Sequence, residues 1–170
     1  IAAPVGIFAA IFLVEYAKKG SRFVKLIRIT AETLSGIPSI VYGLFGMLFF
    51  VTALHWGMSL LSGALTMVIM VLPLIMRTAE EALKSVPDSY REASFGLGAG
   101  KLRTIFTIVL PSAVPGILAG VILAIGRVVG ETAALLYTSG TVAAVPNSLM
   151  GSGRTLALHM YVLSCEGLHI

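Results

Sequence analysis

Residues 108–137 read IVLPSAVPGILAGVILAIGRVVGETAALLY, and Arg127 and Glu131 are the only charged side chains in this stretch. A helix that crosses the hydrocarbon core of a bilayer needs about 20 mostly apolar residues. The stretch from Ile108 to Tyr137 exceeds that length, so we predict a membrane-spanning helix here. The sequence therefore favours an all-α, polytopic membrane protein.

Two further apolar windows extend this interpretation. One runs from Ile29 to Leu54, and the other, slightly short, runs from Ser59 to Met76. Ile1 to Val14 is apolar but too short to span alone, and the sequence after Gly140 turns polar with no further span. We expect residues 1–170 to form one partial transmembrane domain, a helical bundle that lacks its terminal helices.

The composition supports the same class of protein. Of the 170 residues, 57% are hydrophobic and only 12% are charged. Soluble domains carry about a quarter charged residues. This chain has too little polar surface to cover a water-soluble globule, and lipid is the expected solvent for much of it.

The basic residues predict the orientation, because cytoplasmic loops of membrane proteins carry an excess of Lys and Arg. The turn His55-Trp56-Gly57 has neither and should lie outside, as should the segment after Tyr137, where Arg154 is the only basic residue. The acidic residues near the cytoplasmic side are expected to stay solvated; they are Glu15, Glu32, Glu80 and Glu81. The basic residues that mark that side are Lys18, Lys19, Arg22, Lys25, Arg28, Arg77, Lys84, Arg91, Lys101 and Arg103.

The cytoplasmic loop, residues 78–107, is predicted to hold a short separate helix. Pro87 interrupts the preceding helix, since proline lacks the backbone donor that a helix interior needs. Ser89 and Glu92 have the spacing of a capping box, in which each side chain satisfies an exposed N–H group. Glycines at 96, 98 and 100 end the helix. Its exposed face should carry Tyr90, Ala93 and Leu97, and it either fills a groove or lies on lipid headgroups.

The same loop resembles the EAA loop of ABC importer permeases, whose pattern is E-A-A, three residues, G, nine residues, I-x-L-P. Ser94 stands where the pattern has its second alanine, and every other element fits. The resemblance implies a coupling helix that docks in a cleft of a cytoplasmic ATPase. The positions it assigns to this coupling are Glu92, Ala93, Ser94, Gly98, Ile108, Leu110 and Pro111.

No nucleotide site is expected on the chain itself. Gly96 to Lys101 resembles a phosphate-binding loop, but it has three residues between its outer glycines, and Leu102 follows Lys101. The Walker pattern requires four residues there and a Ser or Thr after the lysine. No cofactor or metal site is predicted either, because His55, His159 and His169 lack ligand spacing and Cys165 is the only cysteine.

Arg127 and Glu131 lie within the predicted span, where ionisable groups usually face a bundle interior or a water-filled path. Their spacing of four residues places them on one helical face. One interpretation is a structural ion pair. The other is a substrate path formed by Arg127, Glu131 and Thr132, in which the arginine meets an anion. Around them, Gly116-x-x-x-Gly120 and Gly126-x-x-x-Gly130 predict close packing of helices.

The stretches 126–135 (GRVVGETAAL) and 36–43 (GIPSIVYG) resemble the phosphate-specific, PstA-type permeases. This resemblance implies a MetI-like fold, a type I importer and phosphate as the cargo. It also implies the partners: ABC ATPase subunits, a second homologous permease and a periplasmic or extracellular phosphate-binding protein. The expected setting is the lipid of the inner (cytoplasmic) membrane, with multiple passes and no nucleic acid. The chain would be a transport subunit and not an enzyme.

Three alternatives compete with this hypothesis. The cargo could be another oxyanion or small solute. A proton-coupled secondary transporter could use Glu131 as a relay, but it does not account for the coupling loop. An intramembrane enzyme would need a catalytic set within the spans, and the only aspartate, Asp88, lies in the loop.

Overall fold

The computed structural model describes residues 1–18 and 20–166, so two residues considered above, Lys19 and His169, lie outside the described residues. Every regular element in these ranges is helical, which confirms the predicted all-α class. Three π-helical turns, Phe12–Tyr16, Met47–Ala53 and Ile105–Val109, continue α1, α3 and α6. The helices are α1 Ala2–Ile11, α2 Arg22–Ser35, α3 Ser39–Gly46, α4 Leu60–Lys84, α5 Asp88–Gly96, α6 Lys101–Thr104, α7 Leu110–Val129, α8 Ala133–Thr138 and α9 Leu156–Glu166.

Two helices are long and apolar enough to cross a membrane. One is α4, with 25 residues, and the other runs from Lys101 to Val129, with 29 residues. They confirm the spans predicted at Ser59–Met76 and Ile108–Tyr137 but change their bounds. The second span begins at Lys101 and ends at Val129, because Gly130 and Glu131 interrupt the helix before α8.

The window from Ile29 to Leu54 was wrongly predicted as one helix. It is interrupted between Ser35 and Ser39, and α2 and α3 make at most one broken span. Pro38 explains the break, since it offers no backbone donor and disfavours the helical conformation at Ile37 before it.

Two compact units divide the described chain. The first comprises residues 1–35 and 72–124. Its core contains Ala79, Leu83 and Val109, which are all fully buried. Within it, Gly116 and Gly120 bring α7 onto α4: a Cβ at Gly116 would lie 2.7 Å from the Cβ of Ala82, and one at Gly120 would meet Thr78. The first predicted glycine motif is thus confirmed as a packing site.

The second unit comprises residues 36–71 and 125–170. Here α3 packs closely on α8, and a Cβ at Gly43 would lie 2.9 Å from the Cα of Ala134. The second glycine motif has no such role among the described residues. Gly126 has open space around it, and Gly130 meets only the carbonyl oxygen of Gly126.

Candidate functional site

Helix α5 is the separate helix predicted for the loop, and it begins at Asp88, before the capping position that the sequence gives to Ser89. Pro87 is its N-cap residue, so Ser89 lies inside the helix and makes no capping hydrogen bond. The predicted capping box is therefore wrong. The spacing of Ser89 and Glu92 was right for such a cap, but the boundary set by Pro87 leaves neither side chain at the capping position. Glu92 is exposed instead.

The exposed face of α5 matches the prediction. Tyr90, Ala93 and Leu97 all face solvent, and 89% of Leu97 is accessible. Beside this face lies a cleft of about 520 Å³. Four of the positions that the resemblance assigns to coupling line it, namely Ala93, Ser94, Gly98 and Ile108. The structure thus brings together residues that lie up to 15 positions apart in the sequence.

Gly98 ends α5 in the way the sequence predicts. Its φ of +81° is in the left-handed region, which glycine adopts without steric cost. The chain then closes the helix with two backbone hydrogen bonds, from Gly98 N–H to the carbonyl of Phe95 (2.9 Å) and from Ala99 N–H to that of Ser94 (3.1 Å). Because residues 98 and 99 line the cleft, this turn shapes it directly.

Ser94, the one departure from the EAA pattern, has a structural explanation. Its side chain is buried, and its hydroxyl lies 2.8 Å from the hydroxyl of Thr104 on α6. Thr104 also donates to the carbonyl of Gly100, at 3.2 Å. Where the family pattern has an alanine, this chain has a hydrogen bond between two consecutive helices.

Ile108, Leu110 and Pro111 have different surroundings. Ile108 contributes to the cleft, whereas Leu110 packs against the core of the first unit. Pro111 is exposed in the first turn of α7. The π-helical turn Ile105–Val109 ends two residues before Pro111, whose ring leaves no backbone N–H for the preceding turn. Ile108 therefore belongs to the cleft, whereas Leu110 and Pro111 belong to the start of α7.

Arg91, predicted from the sequence only as one of the basic residues of the cytoplasmic side, holds α5 in place. Its Nε and Nη2 atoms donate to Glu15 Oε1, at 3.1 and 2.8 Å. The same guanidinium donates to the carbonyls of Leu83 and Val86, at 3.0 and 2.8 Å. Only 14% of the Arg91 side chain and 9% of the Glu15 side chain are exposed. The expectation that Glu15 stays solvated was wrong.

Glu80 was also wrongly expected to be solvated. Its side chain is 6% exposed and lies 2.6 Å from Arg28 Nε and 2.7 Å from Lys84 Nζ. A buried carboxylate requires such partners, because removing an ion from water has a large free-energy cost. Glu80 therefore joins α2 to α4 within the first unit. Of the four acidic residues, Glu32 and Glu81 are exposed as expected.

The predicted substrate path has a different geometry from the one expected. Since α7 ends at Val129, Arg127 and Glu131 do not share a helical face, and they form no ion pair in the described structure. The structural ion-pair interpretation is therefore wrong. Glu131 is buried, and its Oε1 atom accepts a hydrogen bond of 3.1 Å from the N–H of Ala134 at the start of α8. Thr132 is the N-cap residue of α8.

Arg127 remains a half-buried cation near the end of α7. Among the described residues no carboxylate lies within ion-pair distance of it. Such an arginine is available to an anion, because its planar group can donate two parallel hydrogen bonds.

A protein family described as "Binding-protein-dependent transport system inner membrane component" matches residues 2–164 of this chain. The chain is 38% identical over 181 aligned positions to the "Probable ABC transporter permease protein YqgI" of Bacillus subtilis, an alignment that covers 99% of this chain and 61% of that protein.

Proteins named for phosphate transport are similar too. The "Phosphate transport system permease protein PstA 1" of Mycobacterium tuberculosis is 43% identical over 140 residues, covering 82% of this chain and 45% of the relative. The "Phosphate transport system permease protein PstA" of Yersinia pestis is 43% identical over 139 residues, covering 82% and 46%. The chain thus spans only part of the length of the relatives it matches.

Proposed function

This chain belongs to the family of binding-protein-dependent transport system inner membrane components, and on that premise we propose that it is the transmembrane part of an ATP-driven phosphate importer. The observation that carries the proposal is the cleft beside α5. Ala93, Ser94, Gly98 and Ile108 converge on it, and Glu92 lies exposed on the same helix.

In this proposal the loop 78–107 docks with cytoplasmic ABC ATPase subunits. The accessible side chain of Leu97 and the exposed ring of Tyr90 supply apolar contact. Fully burying a leucine stabilises a contact by about 1.5–3 kcal/mol, so an ATPase that covers Leu97 gains a substantial part of its affinity there. The residues assigned to coupling are Glu92, Ala93, Ser94, Gly98, Ile108, Leu110 and Pro111.

Arg91 provides the step that follows docking. Because its guanidinium binds Glu15 and the Leu83 carbonyl of α4, a displacement of α5 pulls on α4 and on the turn that continues α1. Helix α5, helix α4 and the turn that carries Glu15 then move with the ATPase. This supplies a physical route from nucleotide-driven motion to the membrane helices.

Phosphate is the cargo that Arg127 supports best. The arginine has no carboxylate partner in the described chain, and Glu131 and Thr132 lie just after it at the start of α8. Relatives named as phosphate permeases favour the same cargo. The complete system would contain a second permease, the ATPases and an external phosphate-binding protein, all at the inner membrane.

The test is phosphate uptake by proteoliposomes that contain the full-length protein with its permease and ATPase partners. ATP inside the vesicles and binding protein outside should drive accumulation of radiolabelled phosphate. Accumulation should persist when an ionophore collapses the proton gradient. Uptake that needs the gradient and not ATP would instead identify a proton-coupled transporter, and uptake of sulfate in preference to phosphate would change the cargo.

A further inference from the structure

A second cleft in the first unit, here called the basic cleft, is lined by an excess of cationic side chains. Its volume is about 670 Å³, within the range of small-ligand sites. All of its lining residues belong to the first unit. Two acidic residues, Glu15 and Asp88, reach it. The basic residues that line it are Lys18, Arg28, Lys84, Arg91 and Lys101.

Three of these five cations are already paired with carboxylates. Arg28 and Lys84 share one buried carboxylate, that of Glu80, at 2.6 and 2.7 Å. Arg91 instead holds both acidic residues of the cleft, at 2.8 and 3.2 Å. Three carboxylates therefore face three cations, and this part of the wall is neutral overall.

Lys18 and Lys101 supply the positive charge that remains. Both residues are exposed, and neither forms an ion pair within residues 1–18 and 20–166. The ammonium group of Lys101 lies 4.9 Å from the centre of the Tyr16 ring. This cation–π contact positions the ammonium group without neutralising its charge. Two lysines without a counter-ion at one cleft attract an anion.

The first two turns of α2 indicate where the basic cleft lies relative to the membrane. Phe23 and Leu26 are exposed there, and the basic residues among them are Arg22, Lys25 and Arg28. Exposed apolar side chains interleaved with basic ones are typical of helices in the headgroup region of a bilayer. Because Arg28 also lines the basic cleft, we place the cleft at the level of the lipid headgroups, on the predicted cytoplasmic side.

We propose that the basic cleft binds the headgroup phosphate of an anionic phospholipid from the cytoplasmic leaflet, with Lys18 and Lys101 as its charged contacts. Lysine binds phosphate as a point charge, and basic pockets between membrane helices on this side suit acidic headgroups. The wall also fits an amphiphile better than a free ion, because Leu13, Val14 and Phe95 line the cleft beside the cations. The inference concerns a lipid and not the cargo, so it does not depend on phosphate import.

The bound lipid would contact α5 on the side away from the proposed docking face. Asp88 and Arg91 line the basic cleft, whereas Tyr90 and Ala93 line the cleft of about 520 Å³ described above. The two pairs are offset by two residues, which corresponds to about 200° around an α-helix. The lipid and the ATPase therefore use different faces of α5 and do not compete.

The experiment measures equilibrium binding of fluorescent phosphatidylglycerol to the assembled full-length transporter, purified in a neutral detergent. Lys18→Gln and Lys101→Gln should each weaken binding about fivefold, the contribution of one basic residue next to an anionic lipid. Lys18→Arg and Lys101→Arg keep the charge and should bind nearly as well as the wild type. Fluorescent phosphatidylcholine, which has no net charge, should bind weakly to every variant.

Lys25→Gln is the matched control. Lys25 is an exposed lysine of α2 on the same predicted side of the membrane, and it does not line the basic cleft. The variant should bind phosphatidylglycerol with wild-type affinity. An equal loss of affinity in Lys25→Gln and in the cleft variants would overturn the proposal, because the attraction would then be spread over the whole basic surface.

Two other outcomes would also overturn the proposal. One is wild-type affinity for phosphatidylglycerol in both Lys18→Gln and Lys101→Gln; co-purification of the ATPase checks that each variant is assembled, and Lys18→Gln decides alone if Lys101→Gln is not. The other is displacement of the lipid by inorganic phosphate but not by chloride at equal ionic strength, which would assign the cleft to a free anion. Neither measurement involves uptake, so either failure leaves the proposed function intact.

Discussion

The guanidinium of Arg91 donates two hydrogen bonds to one carboxylate oxygen of Glu15, a residue 76 positions earlier in the chain. Arg91 directly precedes Glu92, so the contact fixes the helix that carries the proposed docking residues. Both side chains are largely buried, which distinguishes this pair from the surface ion pairs that contribute little to stability.

Removing Glu15 should destabilise the fold and weaken coupling. Glu15→Ala removes the buried carboxylate partner of Arg91 and leaves only the exposed Asp88, 3.2 Å away; loss of one partner of a buried pair costs about 3 kcal/mol. Thermal unfolding of the purified transporter should shift to lower temperature, and less phosphate should be imported per ATP hydrolysed. Glu81→Ala is the control, because Glu81 is exposed on α4. Equal coupling ratios for the two variants would refute the role given to Arg91 and Glu15.

Gly98→Ala should impair assembly with the ATPase. A side chain at a φ of +81° is strained by about 1–2 kcal/mol, and relief of the strain would reshape the cleft. Gly96→Ala provides a close comparison in the same loop: Gly96 has no positive φ and open space around it. We expect less ATPase to co-purify with the first variant and a normal amount with the second. Equal recovery would show that the turn at Gly98 is dispensable for docking.

Glu92→Arg should reverse the charge on the docking face while leaving membrane insertion intact. Since Glu92 is exposed and caps no helix, the change should not unfold α5. The expected result is ATPase activity that no longer responds to the binding protein, or loss of the ATPase subunits. Glu81→Arg makes the same substitution at an exposed site outside the cleft. Unaltered transport by Glu92→Arg would contradict the docking assignment.

Arg127→Gln should strongly reduce phosphate uptake with assembly preserved. The substitution removes the cation that we assign to the anion path but keeps a polar, uncharged side chain. Uptake should fall by at least tenfold, because a charged hydrogen bond contributes about 1.5–3 kcal/mol. Arg22→Gln should transport normally. Normal uptake by Arg127→Gln would leave Arg127 with a structural role only.

Local patterns predicted much of this structure. Two apolar runs predicted α4 and α7, and Pro87 and Gly98 predicted the bounds of α5 within a residue or two. The break at Pro38 was also visible in the sequence, in the stretch Gly36-Ile37-Pro38, but hydropathy over a long window concealed it. Helix breaks and helix ends of this kind can be predicted because proline and glycine act on the backbone of the residues next to them.

The parts that the sequence could not supply depend on contacts between distant positions. No spacing rule connects Glu15 to Arg91 or Arg28 to Glu80, so these acids were expected to be solvated. The spacing of Arg127 and Glu131 predicted one helical face only on the assumption that the helix continues through Gly130. The Glu131 side chain instead binds the first turn of α8.

The contact between Gly43 and Ala134 limits how this protein can change over evolutionary time. Any amino-acid replacement of Gly43 would place a side chain where α8 already stands. Selection would remove such a variant unless the spacing of α3 and α8 changed in the same lineage. Neutral substitutions in the second unit should therefore accumulate at positions other than 43.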